Sequence, residues 1–302
     1  LFLTDAQFGG NMRVLLFGAT GMLGQAIRKE AIRRGHILFG AARNGEEINV
    51  DVNNPVDIIT AINEVSPDVI INAAALVNLS ECENDPGKAY LVNARPASIL
   101  SRISLERKIY LIQISTDHYY ANDGDNLHQE TATIKLVNEY ARSKYAGELF
   151  ALTSPYALVV RTNIVGFRRK LGAPTFIEWV IDSLKNKKQM SLFYDFYTSS
   201  IAVSQFSTIL FDIIHLNNVY GVFNIASRGV HSKKDFIEAL ANRFEYQIEN
   251  PLYCSVHEMS TIQRADSLGL DVSKAEKLLG YYFPEMDQVI DALYLESEEA
   301  GT

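Results

Sequence analysis

An apolar, strand-forming run, Met12-Arg13-Val14-Leu15-Leu16-Phe17, leads directly into Gly18-Ala19-Thr20-Gly21-Met22-Leu23-Gly24 and then into a segment, Gln25 to Arg34, that reads as a helix with Gly35 as its stop. A strand, a glycine-rich turn and a helix in immediate succession leave the chain few choices. The glycines let the backbone bend sharply and come close to a pyrophosphate at the helix N-terminus, where unpaired N–H groups point outward. A bare G-x-x-G-x-x-G is a weak signal, and a tight turn that needs glycine for packing would look the same. Its place between a strand and a helix is what gives it weight.

Strands and helices alternate from there. A second strand is predicted over residues 36–42, a short third over 48–52, a helix over 55–65, and a buried strand over 68–72. A helix follows over 94–108, a strand over 109–115, a helix over 137–151 and a sixth strand over 156–161. This alternation predicts an α/β fold, a Rossmann-like doubly wound parallel sheet covered on both faces. The second half has longer loops and fewer strands. Helices are predicted over 175–188, 203–215, 233–243, 273–279 and 286–295, with one short strand over 222–226. We expect a dinucleotide-binding domain over 12–165 and a smaller C-terminal substrate lobe over 166–302, with segments around 190–226 returning to the main sheet. Residues 1–11 precede the first strand and read as an extension, an expression remnant or an N-terminal arm. Residues 296–302 read as a frayed acidic tail.

Charge and composition narrow the partners. The chain of 302 residues carries a net charge of −8 and no basic block, which argues against nucleic acid and anionic membranes. No apolar run approaches a membrane span, and Leu1 to Leu3 is too short for a signal-peptide core. Two distant cysteines, Cys82 and Cys254, predict no disulfide framework and a reducing, cytoplasmic setting. The six histidines show no metal-ligand spacing, so no metal site is expected.

The candidate chemistry lies at the C-terminal end of the 109–115 strand, where open α/β sheets bind ligands. Ser115-Thr116-Asp117 sits there, and Tyr140 and Lys144 follow in a helical segment. Four residues apart on a helix, they share one face about 6 Å apart along the axis. An ammonium so placed is expected to lower the tyrosine pKa. With the Thr116 hydroxyl alongside, the trio could move a proton to or from a carbonyl oxygen. Phe176 and Trp179, at helical spacing, are read as core rather than as a base-stacking wall.

These motifs, with Asn72-Ala73-Ala74-Ala75, Val92-Asn93-Ala94, Arg161-Thr162, Gly221 to Ala226 and Arg264 to Leu270, make the chain resemble the extended short-chain dehydrogenase/reductase superfamily. Within it, the likeness is to the dTDP-4-dehydrorhamnose reductase group. The resemblance implies Thr116, Tyr140 and Lys144 as the catalytic trio, Tyr140 being the proton donor. It implies a cofactor held by Gly18, Thr20, Gly21, Met22, Leu23 and Gly24, by Asp51 and Val52 at the adenine, by Ala73, Ala74, Ala75 and Asn93, and by Tyr140 and Lys144. Asp117, His118, Asn163 and Arg264 fall at substrate positions. The second strand ends without the acid that would bind the ribose of NAD, and Arg43 follows at once, so NADP(H) is preferred and NAD(H) possible.

The implied activity is reduction of a nucleotide-linked 4-keto-6-deoxy sugar. A 4-epimerase and a non-catalytic NADP-binding regulatory subunit are the alternatives, and the partners implied are a sugar nucleotide and a second copy in a homodimer. The chain also departs from the group. His118-Tyr119-Tyr120 replaces Tyr-Val-Phe, and a histidine at 118, where dehydratases carry an acid, argues against water elimination. Ile164 and Gly166 replace aromatic residues, and Tyr197 to Ser200 and Ala265 lack prolines usual in the group.

Overall fold

The computed structural model describes residues 10–169, 174–258 and 262–299; expectations placed on residues 1–9 and 300–302 lie outside them. The first half runs β1 (Arg13–Phe17), α1 (Met22–Arg33), β2 (Ile37–Ala42), β3 (Ile48–Asn49), α2 (Pro55–Val65), β4 (Val69–Asn72), α3 (Leu79–Asn84), α4 (Pro86–Asn93), α5 (Arg95–Arg107), β5 (Tyr110–Ile114), β6 (Leu127–His128), α6 (Glu139–Ala151) and β7 (Ala157–Arg161). The second half runs β8 (Ile164–Val165), α7 (Phe176–Lys185), β9 (Ser191–Phe193), β10 (Tyr197–Thr198), β11 (Ile201–Ala202), α8 (Val203–His215), β12 (Gly221–Asn224), β13 (His231–Ser232), α9 (Lys233–Arg243), β14 (Leu252–Cys254), β15 (Ser267–Leu270), α10 (Ser273–Leu279) and α11 (Met286–Glu298).

Seven strands form one parallel sheet in the order β12-β7-β5-β4-β1-β2-β3. The chain winds outward from β1 in one direction and from β4 in the other. The crevice between those two strands is therefore the topological switch point where such sheets take ligands. Alternation along each strand splits the core in two. Val14, Leu16, Val69, Ile71 and Ile112 pack on one face with Ile27 of α1 and Phe206 and Leu210 of α8. Leu15, Phe17, Ile70, Leu111 and Val159 pack on the other with Ile58 and Ile62 of α2 and Leu100 of α5.

The second lobe has a core of its own, in which Ile177 and Val180 of α7 meet Phe236 and Leu240 of α9 and Val289 and Leu293 of α11. The two halves interleave. α8 and β12 return to the main sheet, and β6 leaves the first half to join the four-stranded sheet β13-β10-β15-β6. Two helices stand where the sequence suggested none, α3 and α4, each started by an Asx cap, Asn78 accepting from Glu81 N and Asp85 from Lys88 N, and so do the short strands β6, β8 to β11 and β13 to β15. The acidic end is also shorter than expected. α11 continues to Glu298 because Ser297 is buried and its hydroxyl donates to the Tyr294 carbonyl at 2.7 Å. No described helix is long and apolar enough to cross a membrane.

Candidate active site

The turn after β1 is built for close approach. Gly18 has φ +82°, and a Cβ there would stand 2.7 Å from the backbone nitrogen of Ala74, so this glycine lets β1 and β4 come together at the crevice. Gly24 is required by packing, since its Cβ would meet the Gly18 carbonyl at 2.4 Å. Gly21 is different: a Cβ there would touch only the Gly18 carbonyl, at 3.3 Å. Gly21 also heads α1 with no side chain capping the helix. The first N–H groups of α1 are thus left for a ligand, and the helix dipole favours an anion there.

From this turn a cleft of about 660 Å³ runs along the sheet edge to Tyr140. Gly18, Gly21 to Gly24, Ala73 and Ala75 line one end; Thr116, Asp117, His118, Tyr140, Lys144 and Asn163 line the other. Three distant stretches of sequence meet at that second end because β5 delivers Thr116, α6 presents Tyr140 and Lys144 on one face, and the loop after β7 supplies Asn163. Asn138 caps α6 by accepting from Ala141 N at 2.8 Å, and its amide donates to the Gln263 carbonyl at 3.1 Å. The start of α6 is thereby tied to the segment carrying Arg264.

Deeper in, Glu148 receives Arg161 at 2.8 Å and the Ser115 hydroxyl at 2.6 Å, while Arg161 also donates to the Tyr120 hydroxyl at 3.1 Å. Both charges are buried, and each is paired and hydrogen-bonded, the condition under which such a pair is tolerated. This cluster fixes α6, β7 and the loop after β5 to one another directly beneath the trio.

The electrostatics overturn one expectation. Lys144 does not lower the tyrosine pKa: burial pushes the Tyr140 phenol well above its usual value, with the Thr116 hydroxyl acting in the other direction. The Lys144 ammonium instead donates to the Ile114 carbonyl at 2.7 Å, and burial lowers its pKa to about 8, with Glu148 opposing. The phenol is therefore held protonated, which suits a donor. His118 meets the Tyr140 ring edge-on at 5.3 Å, and its buried Nδ1 has no hydrogen-bond partner among the described residues. Burial holds it neutral despite Asp117, whose own carboxyl burial pushes upward.

Several candidates lie elsewhere. Asn93 is committed to structure: its amide donates to the Leu76 carbonyl and the Ser143 hydroxyl, and its oxygen accepts from Leu76 N at 2.8 Å. Asp51 accepts from Asn53 N, Val52 packs against the core, and Arg43 is exposed just beyond β2; none lines the cleft. Thr20 accepts the Gln25 amide through its carbonyl, and Ala74 backs Gly18. Of the two arginines after β7, Arg168 lines the cleft, while Arg169 lies against Glu296.

Trp179 is not core as expected, whereas Phe176 packs half-buried against the second core. Trp179 is 41% exposed, and together they wall a second pocket of about 200 Å³ with Phe193, Phe196, Lys233 and Arg264. Phe176 lines both cavities, so the pocket adjoins the cleft. Lys233 escaped the sequence reading, although a lysine opening a helix runs against the helix dipole and was a usable signal. Among the described residues no group of three or more His, Cys, Asp or Glu could hold a metal ion.

Known proteins are similar in sequence and fold. The family described as RmlD substrate binding domain matches residues 12–297. The protein named "Probable low-salt glycan biosynthesis reductase Agl14" of Haloferax volcanii is 26% identical over 93% of this chain and 97% of its own length. A dTDP-4-dehydrorhamnose reductase of Salmonella typhimurium is 28% identical over 62% of this chain and 61% of that protein. A dTDP-4-dehydrorhamnose reductase of Bacillus anthracis, solved in complex with NADP, shares the fold with a TM-score of 0.85, 23% identity and coverage of 95% of this chain and 100% of that one. The fold, the cleft and these relatives together establish that the chain belongs to the RmlD substrate binding domain family of extended short-chain dehydrogenases/reductases and is an NAD(P)-dependent oxidoreductase.

Proposed function

We propose that the protein reduces the 4-keto group of a nucleotide-linked 6-deoxy sugar, with NADP(H) preferred as its cofactor. The observation that carries this reading is the convergence of Thr116, Tyr140 and Lys144 at one end of a cleft whose other end is an uncapped, glycine-lined helix N-terminus. The glycine turn and the N–H groups of α1 fit a dinucleotide pyrophosphate, and Lys144, which lines the same cleft, would hold the adjoining ribose hydroxyls. Arg43, beyond β2, supplies a guanidinium for the adenosine phosphate that distinguishes NADP from NAD. When bound, the cofactor supplies hydride to the carbonyl carbon.

The protein's own part is to hold the ketone and deliver a proton. Thr116 donates a hydrogen bond to the carbonyl oxygen, and Tyr140 gives up its phenolic proton as negative charge develops there. A buried phenol with a raised pKa is fully protonated before the reaction, the state that reduction needs. Asn163 donates to Asp117, which accordingly faces the sugar as a fixed acceptor.

The test is turnover of a 4-keto-6-deoxy sugar nucleotide with NADPH under the purified protein. One NADPH lost for each sugar reduced is the expected result. Conversion of the sugar without net NADPH loss would instead indicate an epimerase, and tight NADPH binding with neither would indicate a regulatory subunit.

A further inference from the structure

Lys233 sits in an unusual position. It is the first residue of α9, beside the Ser232 cap, where the helix dipole presents positive charge and disfavours a cation. Its ammonium lies 4.1 Å from the Phe176 ring centroid, with Phe196 and Phe236 at 5.9 and 6.0 Å. No carboxylate among the described residues forms an ion pair with it; Asp117 reaches it only through space, and burial lowers its pKa to about 8. A half-buried ammonium held by ring faces with no ion-pair partner is costly, and local preference and packing disagree at this residue. Such conflicts mark positions kept for a ligand.

The surroundings indicate what that ligand is. Lys233 and Arg264 are the two cations of the aromatic pocket beside the cleft, and both act on His118 through space. Two cations meet at one small cavity with flat aromatic walls, the complement of an oxyanion carried next to a planar or ring-shaped group.

We propose that Lys233, supported by Arg264, is the residue by which this protein selects an oxyanion on its substrate, seated at the mouth of the aromatic pocket. The inference rests on the sugar-nucleotide reading and goes beyond it by assigning the selecting residue. The oxyanion is either the diphosphate that links nucleoside to sugar or a carboxylate on the sugar ring. Both would pair with the ammonium, and ligands can be chosen to separate them.

The experiment is calorimetric titration of the NADPH-loaded protein with dTDP, thymidine, UDP-glucose and UDP-glucuronate, for the wild type, Lys233→Met and Lys233→Arg. If the diphosphate is held, Lys233→Met weakens dTDP and both UDP-sugars roughly 30-fold or more, whereas thymidine is unaffected. If a sugar carboxylate is held, only UDP-glucuronate weakens. In either case Lys233→Arg stays within a few-fold of the wild type, and NADPH affinity is unchanged in both variants, which also shows that they are folded. Lys233→Met that binds every ligand as the wild type does overturns the proposal and leaves the sugar-nucleotide reading standing. A wild type that binds none of the four nucleotides removes that reading, and the proposal with it.

Discussion

The two ends of the cleft are made of different material. At the glycine end the protein offers backbone: N–H groups at the head of α1 and the main chain of Ala73 and Ala75, with no buried charge. At the other end, and in the aromatic pocket beside it, the protein offers side chains that titrate, and Asp117, His118, Tyr140, Lys144 and Lys233 all have pKa values displaced by burial. A backbone site costs little in the empty protein and depends on a few φ angles. A site of buried ionisable groups is costly until its ligand arrives, and can therefore discriminate. Binding of the dinucleotide and choice of substrate are on this account separable properties of one cleft.

The sharpest way to break that comparison is to remove the transferable proton. Tyr140→Phe keeps the ring against Cys82, Ala89 and His118 but should lower turnover by roughly 100-fold or more. NADPH affinity, measured by fluorescence titration, should hardly move. Near-normal turnover would mean that another group protonates the oxygen. Next in size, Arg43→Ala should weaken NADPH about 10-fold with little change for NADH, since a charge-assisted bond to phosphate is lost. Equal losses for both cofactors would show that the exposed guanidinium is only a solvated loop residue. Arg264→Ala should be milder, because this arginine is exposed. The Michaelis constant for the sugar nucleotide should rise about 3-fold with kcat and NADPH affinity intact, and an unchanged constant would remove Arg264 from the site.

The titrating end should also show in stability. Lys144 and Lys233 both have pKa values of about 8 in the folded protein, below the ~10.4 of an unfolded chain. Between those values the unfolded state binds more protons, so the stability of the ligand-free protein should rise with pH above about 8. Near pH ~10 the sign reverses, because the unfolded chain then loses tyrosine protons that buried Tyr110, Tyr119, Tyr120 and Tyr140 keep. Urea midpoints across this window test the point: a double variant, Lys144→Met with Lys233→Met, should flatten the rise, and falling stability in the wild type would contradict it.

What could be read from the sequence follows the same division. The β1 turn, α1 and the Tyr140–Lys144 face are encoded within a few residues of one another, so glycine spacing and helical period reveal them. The bounds of α2, α8 and α9 were likewise legible, as continuous amphipathic or capped segments. The substrate end is assembled from residues far apart in the chain. Asn138 reaches Gln263, β6 pairs with β15, and Phe176 meets Lys233 across two helices, and no local pattern records such contacts. Trp179 misled for the same reason: helical spacing marks a face but does not say whether protein or a ligand covers it. The tyrosine pKa misled because separation along a helix fixes where Lys144 stands and says nothing of how deeply Tyr140 is buried, which here decides the sign.

The central claim is that the dinucleotide end supplies hydride to a sugar carbonyl held at the Tyr140 end. It is tested most directly by running the reaction with NADPH deuterated at the transferable position and a 4-keto-6-deoxy sugar nucleotide, and locating the label by NMR. Deuterium on the former carbonyl carbon of the sugar, with one cofactor oxidised per product and none of this in Tyr140→Phe, is the predicted result. A sugar product without deuterium, or one formed equally well by Tyr140→Phe, would contradict the account.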